Sequence, residues 1–371
     1  MTERVYKLTF KTPIHIGSPK VGREKTLSYV PSDTLFGALV VAWATTGAID
    51  DLNTYLKQFN VNSPPPFLLT SAFPYAGAVR FFPRPLHYLP LSDDVSITLK
   101  TIENVSWVSE SIFNILLNDK RIPVEHTDRH VNFIQDGDIW LTRVERGQIL
   151  KTLKSSYDNV NVERKNNNIS VGLDNREMPL SLWEHVTVPR IGVDRVTMDS
   201  IMFHTGRLRF HKGCGLWFAV RSEKFEMIET AMRYLEDAGI GGLRSTGDGA
   251  FTYLVYEPPT PLPMPNNDDY FVNLARFAPS SEEFSMLRAR DSAYKLVKVV
   301  GWCQDDDGIS WRRKQICLVT EGAYLHHAKD VHRIGQLVDI TPDNVGAFTH
   351  ERRVYRYGLA FPVGTQKEVS R

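Results

Sequence analysis

The chain has 371 residues, 42% of them hydrophobic and 23% charged, the balance of a soluble globular protein long enough to bury a large core and to form two domains. Its 44 basic and 43 acidic side chains leave a net charge of +1, so any RNA surface must come from local clustering rather than overall basicity. No apolar run reaches membrane-spanning length and no signal-peptide pattern opens the chain, so the expected location is the cytoplasm with no membrane partner, and Cys214, Cys303 and Cys317 lack paired or metal-ligand spacing and read as reduced and structural.

Residues 4–11 alternate Tyr6, Leu8 and Phe10 against Lys7, Thr9 and Lys11, the period of a half-buried strand. A loop containing His15 leads to Ser32 or Asp33, either of which can cap a helix carrying Leu35, Leu39 and Trp43 and ending at Gly47. A short helix over 52–59 stops at Pro64-Pro65-Pro66, and short strands are expected over 67–70 and at Phe81-Phe82-Pro83-Arg84-Pro85. Residues 107–117 have helical spacing. Between 119 and 130 lie Lys120, Arg121, His126, Arg129 and His130, but Pro123 argues against a helix and no third ligand accompanies the two histidines, so no metal site is expected. A strand over 139–144 precedes an Asn-, Lys- and Arg-rich segment, 157–174, read as a mobile loop or hairpin tip.

Val188 to Thr197 gathers Arg190, Asp194 and Arg195 beside a glycine, where planar guanidiniums suit bidentate contacts to phosphate, or pair internally with Asp194. Residues 203–210 and 216–221 predict a hairpin across His211 to Gly215, and Ser222 or Glu223 starts a helix closed by Gly239. Then comes the densest feature, Gly239-Ile240-Gly241-Gly242-Leu243-Arg244-Ser245-Thr246-Gly247-Asp248-Gly249-Ala250-Phe251, leading into a strand at Phe251, Tyr253 and Val255. Glycine permits positive φ and close backbone approach, so such a loop is either a tight helix stop or a cradle for a phosphodiester chain. Because it follows a helix C-terminus, the dipole opposes an anion there, and binding must come from N–H nests and Arg244. GxGxxG and Walker spacings do not apply, since they require the opposite polarity.

The element order over 1–257, with an insertion at about 105–180, is that of a ferredoxin-like domain. A proline-rich linker at 258–265 separates it from 258–371, where strand-like runs and a Ser280/Glu283 capping-box spacing fit a second, degenerate copy. The fold class expected is α+β, two ferredoxin-like (RRM-like) domains.

The glycine loop resembles that of the RAMP superfamily, the repeat-associated RNA-binding subunits of CRISPR effector complexes. Ile14-His15-Ile16-Gly17, Ser32-Asp33-Thr34-Leu35-Phe36-Gly37-Ala38-Leu39 and Pro189-Arg190-Ile191-Gly192-Val193-Asp194-Arg195-Val196-Thr197 carry the same resemblance. In this order they look like the subunit of type III-A complexes that caps the 5′ end of the guide RNA, and Tyr355-Arg356-Tyr357-Gly358-Leu359-Ala360-Phe361-Pro362 extends the likeness into the C-terminal third. The resemblance implies a non-catalytic subunit with no cofactor and no metal. It would hold the repeat-derived 5′ handle of a CRISPR RNA and bridge the large cyclase- or polymerase-like subunit to a backbone RAMP subunit. RNA contacts are expected at His15, Ser32, Thr34, Arg84, Arg190, Asp194 and Arg195, and in the loop at Gly241, Gly242, Leu243, Arg244, Ser245, Gly247 and Gly249.

The chain departs from the family after Gly249, where many relatives carry a basic residue and this one has Ala250, with acidic Asp248 on the other side. An alternative is a RAMP endoribonuclease using His15, His204 or His211 in general acid–base chemistry. Another is a type III-B counterpart or a target-cleaving backbone subunit. The latter would offer an early-loop aspartate, and Gly17 to Val30 contains Glu24 but no Asp.

Overall fold

The computed structural model describes residues 1–17, 25–61, 64–87, 98–118, 122–161, 180–193, 199–266, 269–304, 308–327, 333–343 and 353–365. The first strand, β1 (Thr2–Phe10), forms as its alternation predicts, and α1 (Ser32–Thr46) buries Leu35, Phe36, Leu39, Ala42 and Trp43. Gly47 ends that helix in the left-handed region at φ 64°, its N–H bonded to Trp43 O, because only glycine turns there without Cβ strain. The start differs from expectation. Pro31 occupies the cap position and no side chain caps the helix, since Ser32 and Asp33 lie one and two residues inside it and bond to the C-terminal half of the chain instead.

Next come α2 (Leu52–Val61), β2 (Phe67–Leu69), β3 (Phe73–Ala76), β4 (Val79–Pro83) and α3 (Leu99–Glu103). The run 107–117 divides into a strand, β5 (Trp107–Ser109), and a helix, α4 (Glu110–Leu117). The β-pairing of Trp107 to Ser109 with β4 overrides the helical spacing of its first turn. In the insertion β6 (Phe133–Ile134) and β7 (Ile139–Trp140) are followed by α5 (Arg143–Asn161), so the strand expected over 139–144 is shorter and 157–161 is helical; 162–174 lies outside the described residues. The remaining N-terminal elements are β8 (Trp183–Val193), β9 (Ser200–Phe210), β10 (Cys214–Ser222), α6 (Glu226–Ala238) and β11 (Phe251–Tyr256).

The large sheet runs β11-β1-β10-β3-β4-β5-β7-β6, with β2 also paired to β10. Its first four strands, with α1 after β1 and α6 between β10 and β11, trace a β-α-β-β-α-β path. Tyr6 on β1 stacks on Phe218 of β10 with centroids 4.8 Å apart, an aromatic pair of the kind that contributes about 0.5–1.5 kcal/mol beyond its buried area. The predicted hairpin between 203–210 and 216–221 is not formed. β9 pairs along all of β8 in a separate two-stranded ribbon, while β10 joins the central sheet. The eleven-residue match between β8 and β9 offers more ladder bonds than the short turn at His211 could.

C-terminal to the linker lie β12 (Tyr270–Asn273), α7 (Phe284–Leu287), β13 (Leu296–Val299), β14 (Trp302–Gln304), β15 (Ser310–Arg312), β16 (Ile316–Val319), β17 (Tyr324–His326), β18 (Val338–Asp339), β19 (Tyr355–Arg356) and β20 (Pro362–Gly364). A three-stranded sheet, β17-β12-β20, is accompanied by the ribbons β13-β16, β14-β15 and β18-β19. The Ser280/Glu283 capping box forms as predicted. Among the described residues no helix is long and apolar enough to cross a membrane.

This C-terminal region packs into the same core as the first sheet. The Tyr357 ring lies 5.0 Å from that of Phe36 on α1, and its hydroxyl accepts from Leu69 N–H at 2.9 Å. Buried Arg221 on β10 gives Nε to Glu3 at 2.9 Å, Nη1 to Pro362 O at 2.8 Å and Nη2 to Leu262 O at 2.7 Å, so one guanidinium joins β1, β10, the linker and β20.

Candidate nucleic-acid interface

The glycine loop folds back onto residues 11–15. Gly242 N–H donates to His15 O at 2.8 Å, Gly249 N–H to Pro13 O at 2.8 Å and Ala250 N–H to Thr12 Oγ1 at 3.0 Å, while Ile240 N–H closes the loop's neck on Gly249 O at 3.0 Å. Two glycines are required by space as well as by dihedral angle. A Cβ on Gly241, at φ 98°, would lie 2.6 Å from His15 O, and one on Gly249, at φ 82°, would lie 2.1 Å from Ile240 O. Leu243 adopts φ 60° without being glycine and is followed by a single tight turn, Arg244–Thr246. Among the described residues the N–H groups of Leu243, Arg244 and Ser245 make no hydrogen bond, and Arg244, Ser245 and Gly247 are exposed. An anion can therefore be met there by main chain rather than by a helix dipole.

The loop forms one wall of a cleft of about 280 Å³. Gly241, Gly242 and Arg244 face Ile16, Gly17, Asp33 and Thr34 across it, and Arg313 and Arg356 reach it from the C-terminal region. Four of the five stretches that carried the family resemblance thus meet in one place. Clefts of about 600 and 790 Å³ flank Arg129 and His130 in the insertion, but their linings mix those side chains with Asp128, Asp136 and Asp138 and include no part of the glycine loop.

Under the cleft lies a buried charge network. The Asp33 carboxylate, its side chain 0% exposed, takes Arg276 Nη1 at 3.2 Å and Arg356 Nη1. Arg276 Nε also stands 3.7 Å from Glu321, which accepts from Tyr29 at 3.1 Å and from Ser71 at 2.5 Å. Burial works against the Arg276 charge, but Asp33 and Glu321 outweigh it and hold its pKa above the ordinary arginine value. Burial also raises the pKa of Tyr29, keeping it a neutral donor. Ser32 is fully buried; its Oγ accepts from Arg276 N–H at 2.9 Å and its N–H donates to Ser71 Oγ at 2.8 Å. Its side chain therefore serves the network and not a surface contact.

A second cluster sits behind the loop. His15 is half-buried, and since a carbonyl only accepts, its Nδ1–H donates to Gly206 O at 2.6 Å. Asp248, the acid whose charge argues against anion binding, is buried beside Arg207, with 3.0 Å between Nε and Oδ2. Burial raises its pKa, opposed by Arg207, then Arg190 and His15. Its negative charge is thus countered beneath the loop. Arg190 lies half-buried on β8, opposite Phe203, and its Nε has no hydrogen-bond partner among the described residues.

The remaining expected residues are distributed unevenly. Thr34 is half-buried in the cleft wall. Arg84 is not in the cleft lining, and its Nε and Nη1 donate to Val105 O and Pro85 O, each at 3.2 Å. Asp194 and Arg195 lie outside the described residues. Arg207, Arg313 and Arg356 are site residues that the sequence does not single out. Arg356 lies within the C-terminal stretch that carried the resemblance, whereas nothing marks Arg313 beyond the basic run Arg312-Arg313-Lys314.

Main-chain amides and guanidiniums thus converge beside an open sheet whose strands and helices follow the β-α-β-β-α-β order, and that fold and cleft define the class of protein. The chain belongs to the RAMP superfamily, whose sequence model matches residues 7–252. A second model, the CRISPR Csm4 C-terminal domain, matches residues 266–365. The chain is 23% identical to the CRISPR system Cms protein Csm4 of Thermococcus onnurineus (strain NA1), across 90% of this chain and 91% of that one, and 22% identical to Csm4 of Streptococcus thermophilus, across 92% and 93%. Among solved structures it resembles the Csm3-Csm4 subcomplex of the type III-A CRISPR-Cas interference complex, with a TM-score of 0.63 at 15% identity over 98% of this chain and 99% of that one. It also resembles the Csm1-Csm4 cassette in complex with cA4, with a TM-score of 0.55 at 17% identity over 98% of each. These likenesses establish the fold.

Proposed function

We propose that the chain is a non-catalytic, RNA-holding subunit of a type III-A CRISPR effector complex, occupying the position of the Csm4 proteins it resembles. It holds the repeat-derived 5′ handle of the CRISPR RNA and bridges the large cyclase-bearing subunit to the backbone subunits. The observation that carries this reading is the cleft in which the main chain of the glycine loop, Arg244 and two C-terminal guanidiniums converge, with Asp33 as the only acidic lining residue among the described residues. Main-chain donors and arginine forks suit phosphates of a splayed single strand, whose bases remain free for side-chain readout. The relatives with solved structures were found with Csm3 and Csm1, which supports the bridging role. We read the C-terminal region as a degenerate ferredoxin-like domain on the strength of its antiparallel β17-β12-β20 sheet and the short α7.

The test is to purify the tagged chain gently from its native host and sequence the RNA that accompanies it. Guide-length RNAs sharing a repeat-derived 5′ end are expected, and an intact complex without them would sink the reading. In the same preparation Arg244→Ala, at an exposed position, is expected to reduce retained RNA severalfold with an unchanged melting temperature, because it removes a phosphate partner and no packing. Arg190→Ala is expected to act in the same direction. A melting temperature falling in step with RNA retention would make either residue structural.

A further inference from the structure

The two guanidiniums that enter the cleft from the C-terminal region form an incompletely neutralised pair. Arg356 is nine-tenths buried and gives Nη1 to Asp33, but that carboxylate already serves Arg276. Arg313 has no carboxylate at ion-pair distance among the described residues; a side-chain hydrogen bond with Cys303 and the charge of Asp33 only partly favour its charged form, and its Nε is buried without a hydrogen-bond acceptor. The arginines lie side by side. A methyl group on Gly301 would stand 3.8 Å from Arg313 Cζ and 3.8 Å from Arg356 Nη2, and the ladder bond from Arg313 N–H to Gly301 O at 3.0 Å fixes that placement. Burial, and then the charge of Arg356, push the Arg313 pKa below its ordinary value.

We infer that Arg313 and Arg356 together grip one phosphate of the bound RNA against the glycine loop, so that RNA seated there ties the C-terminal region to the N-terminal sheet. An anion between the two guanidiniums relieves their mutual repulsion and supplies the acceptor that Arg313 Nε lacks. Paired planar forks suit the bidentate geometry of a phosphate. The inference rests on the RNA-holding reading and adds to it the C-terminal half of the grip.

The experiment measures binding of the full-length chain to a short single-stranded RNA of mixed sequence by fluorescence anisotropy across a series of salt concentrations. For a single strand, each phosphate that the protein ceases to neutralise lowers the slope of log K against log salt by about 0.7. Arg313→Gln is expected to weaken binding about tenfold and to flatten the slope, and Arg313→Lys, which keeps the charge, to restore the slope. The Arg313→Gln/Arg356→Gln double variant should lose about 0.7 in total, one phosphate's share. Arg313 is in no ion pair among the described residues, so its variants should melt with wild type, and they carry the test even where Arg356→Gln disturbs Asp33. Wild-type binding with unchanged affinity and slope in Arg313→Gln overturns this inference alone, as does a double variant losing about 1.4, the share of two phosphates. A wild-type chain that does not bind the RNA overturns the RNA-holding reading as well.

Discussion

Arg276→Ala is expected to cost about 3–5 kcal/mol of folding stability, the range for removing one partner of a buried ion pair. Among the described residues it would leave Asp33, fully buried, with Arg356 alone, and Glu321 with only Tyr29 and Ser71 as donors. The missing Coulomb attraction is the smaller part, since the larger cost is a carboxylate held out of water without its counter-charge. Because a domain's whole stability is about 5–15 kcal/mol, the variant should unfold far earlier in urea, and the C-terminal region should release first, since Arg276 joins it to the start of α1. Glu321→Gln in the same chain removes the uncompensated charge and should recover part of the loss. A midpoint for Arg276→Ala close to wild type would mean that Asp33 and Glu321 are hydrated or protonated in the folded protein, and the cleft would lose its rigid floor.

The same residues mark how far the sequence can be read. The β-α-β-β-α-β framework is legible because its signals are local: alternation in Tyr6, Leu8 and Phe10, the apolar face Leu35, Leu39 and Trp43, and the glycine stops at Gly47 and Gly239. The loop's shape is legible because glycines at positive φ leave a compositional trace. What local signals do not give is pairing across the chain. Ser32 and Asp33 read as a helix cap because Ser and Asp usually do that, but Arg276, 243 positions beyond Asp33, claims them instead. The short turn after β9 suggests β10 as its neighbour, whereas its full-length partner is β8. Arg313 and Arg356 reach the loop only through the docking of a region beyond a proline-rich linker, and no spacing rule encodes that approach.

Gly241→Val is expected to abolish RNA retention, and its comparison with Gly247→Ala separates the shape of the loop from its mere flexibility. At φ 98° a β-branched residue is strongly disfavoured, and its Cβ would press on His15 O at 2.6 Å and on the Ile16 side chain at 2.9 Å. The loop must then lift from residues 11–15, breaking the Gly242 to His15 bond and moving one wall of the cleft away from Arg313 and Arg356. Removing even one well-placed phosphate interaction at about 1.4 kcal/mol lowers affinity tenfold, and here several go together. Gly247 also has positive φ, at 86°, but a Cβ there meets nothing within 4 Å. Alanine at that position costs about 1–2 kcal/mol of backbone strain without displacing a neighbour. Gly247→Ala should therefore melt a few degrees earlier and keep its RNA, whereas Gly241→Val loses RNA by more than its stability loss explains. Equal loss of RNA in both variants would mean that binding needs a pliable loop, not the fixed seat against His15, and the main-chain contribution to the cleft would have to be abandoned.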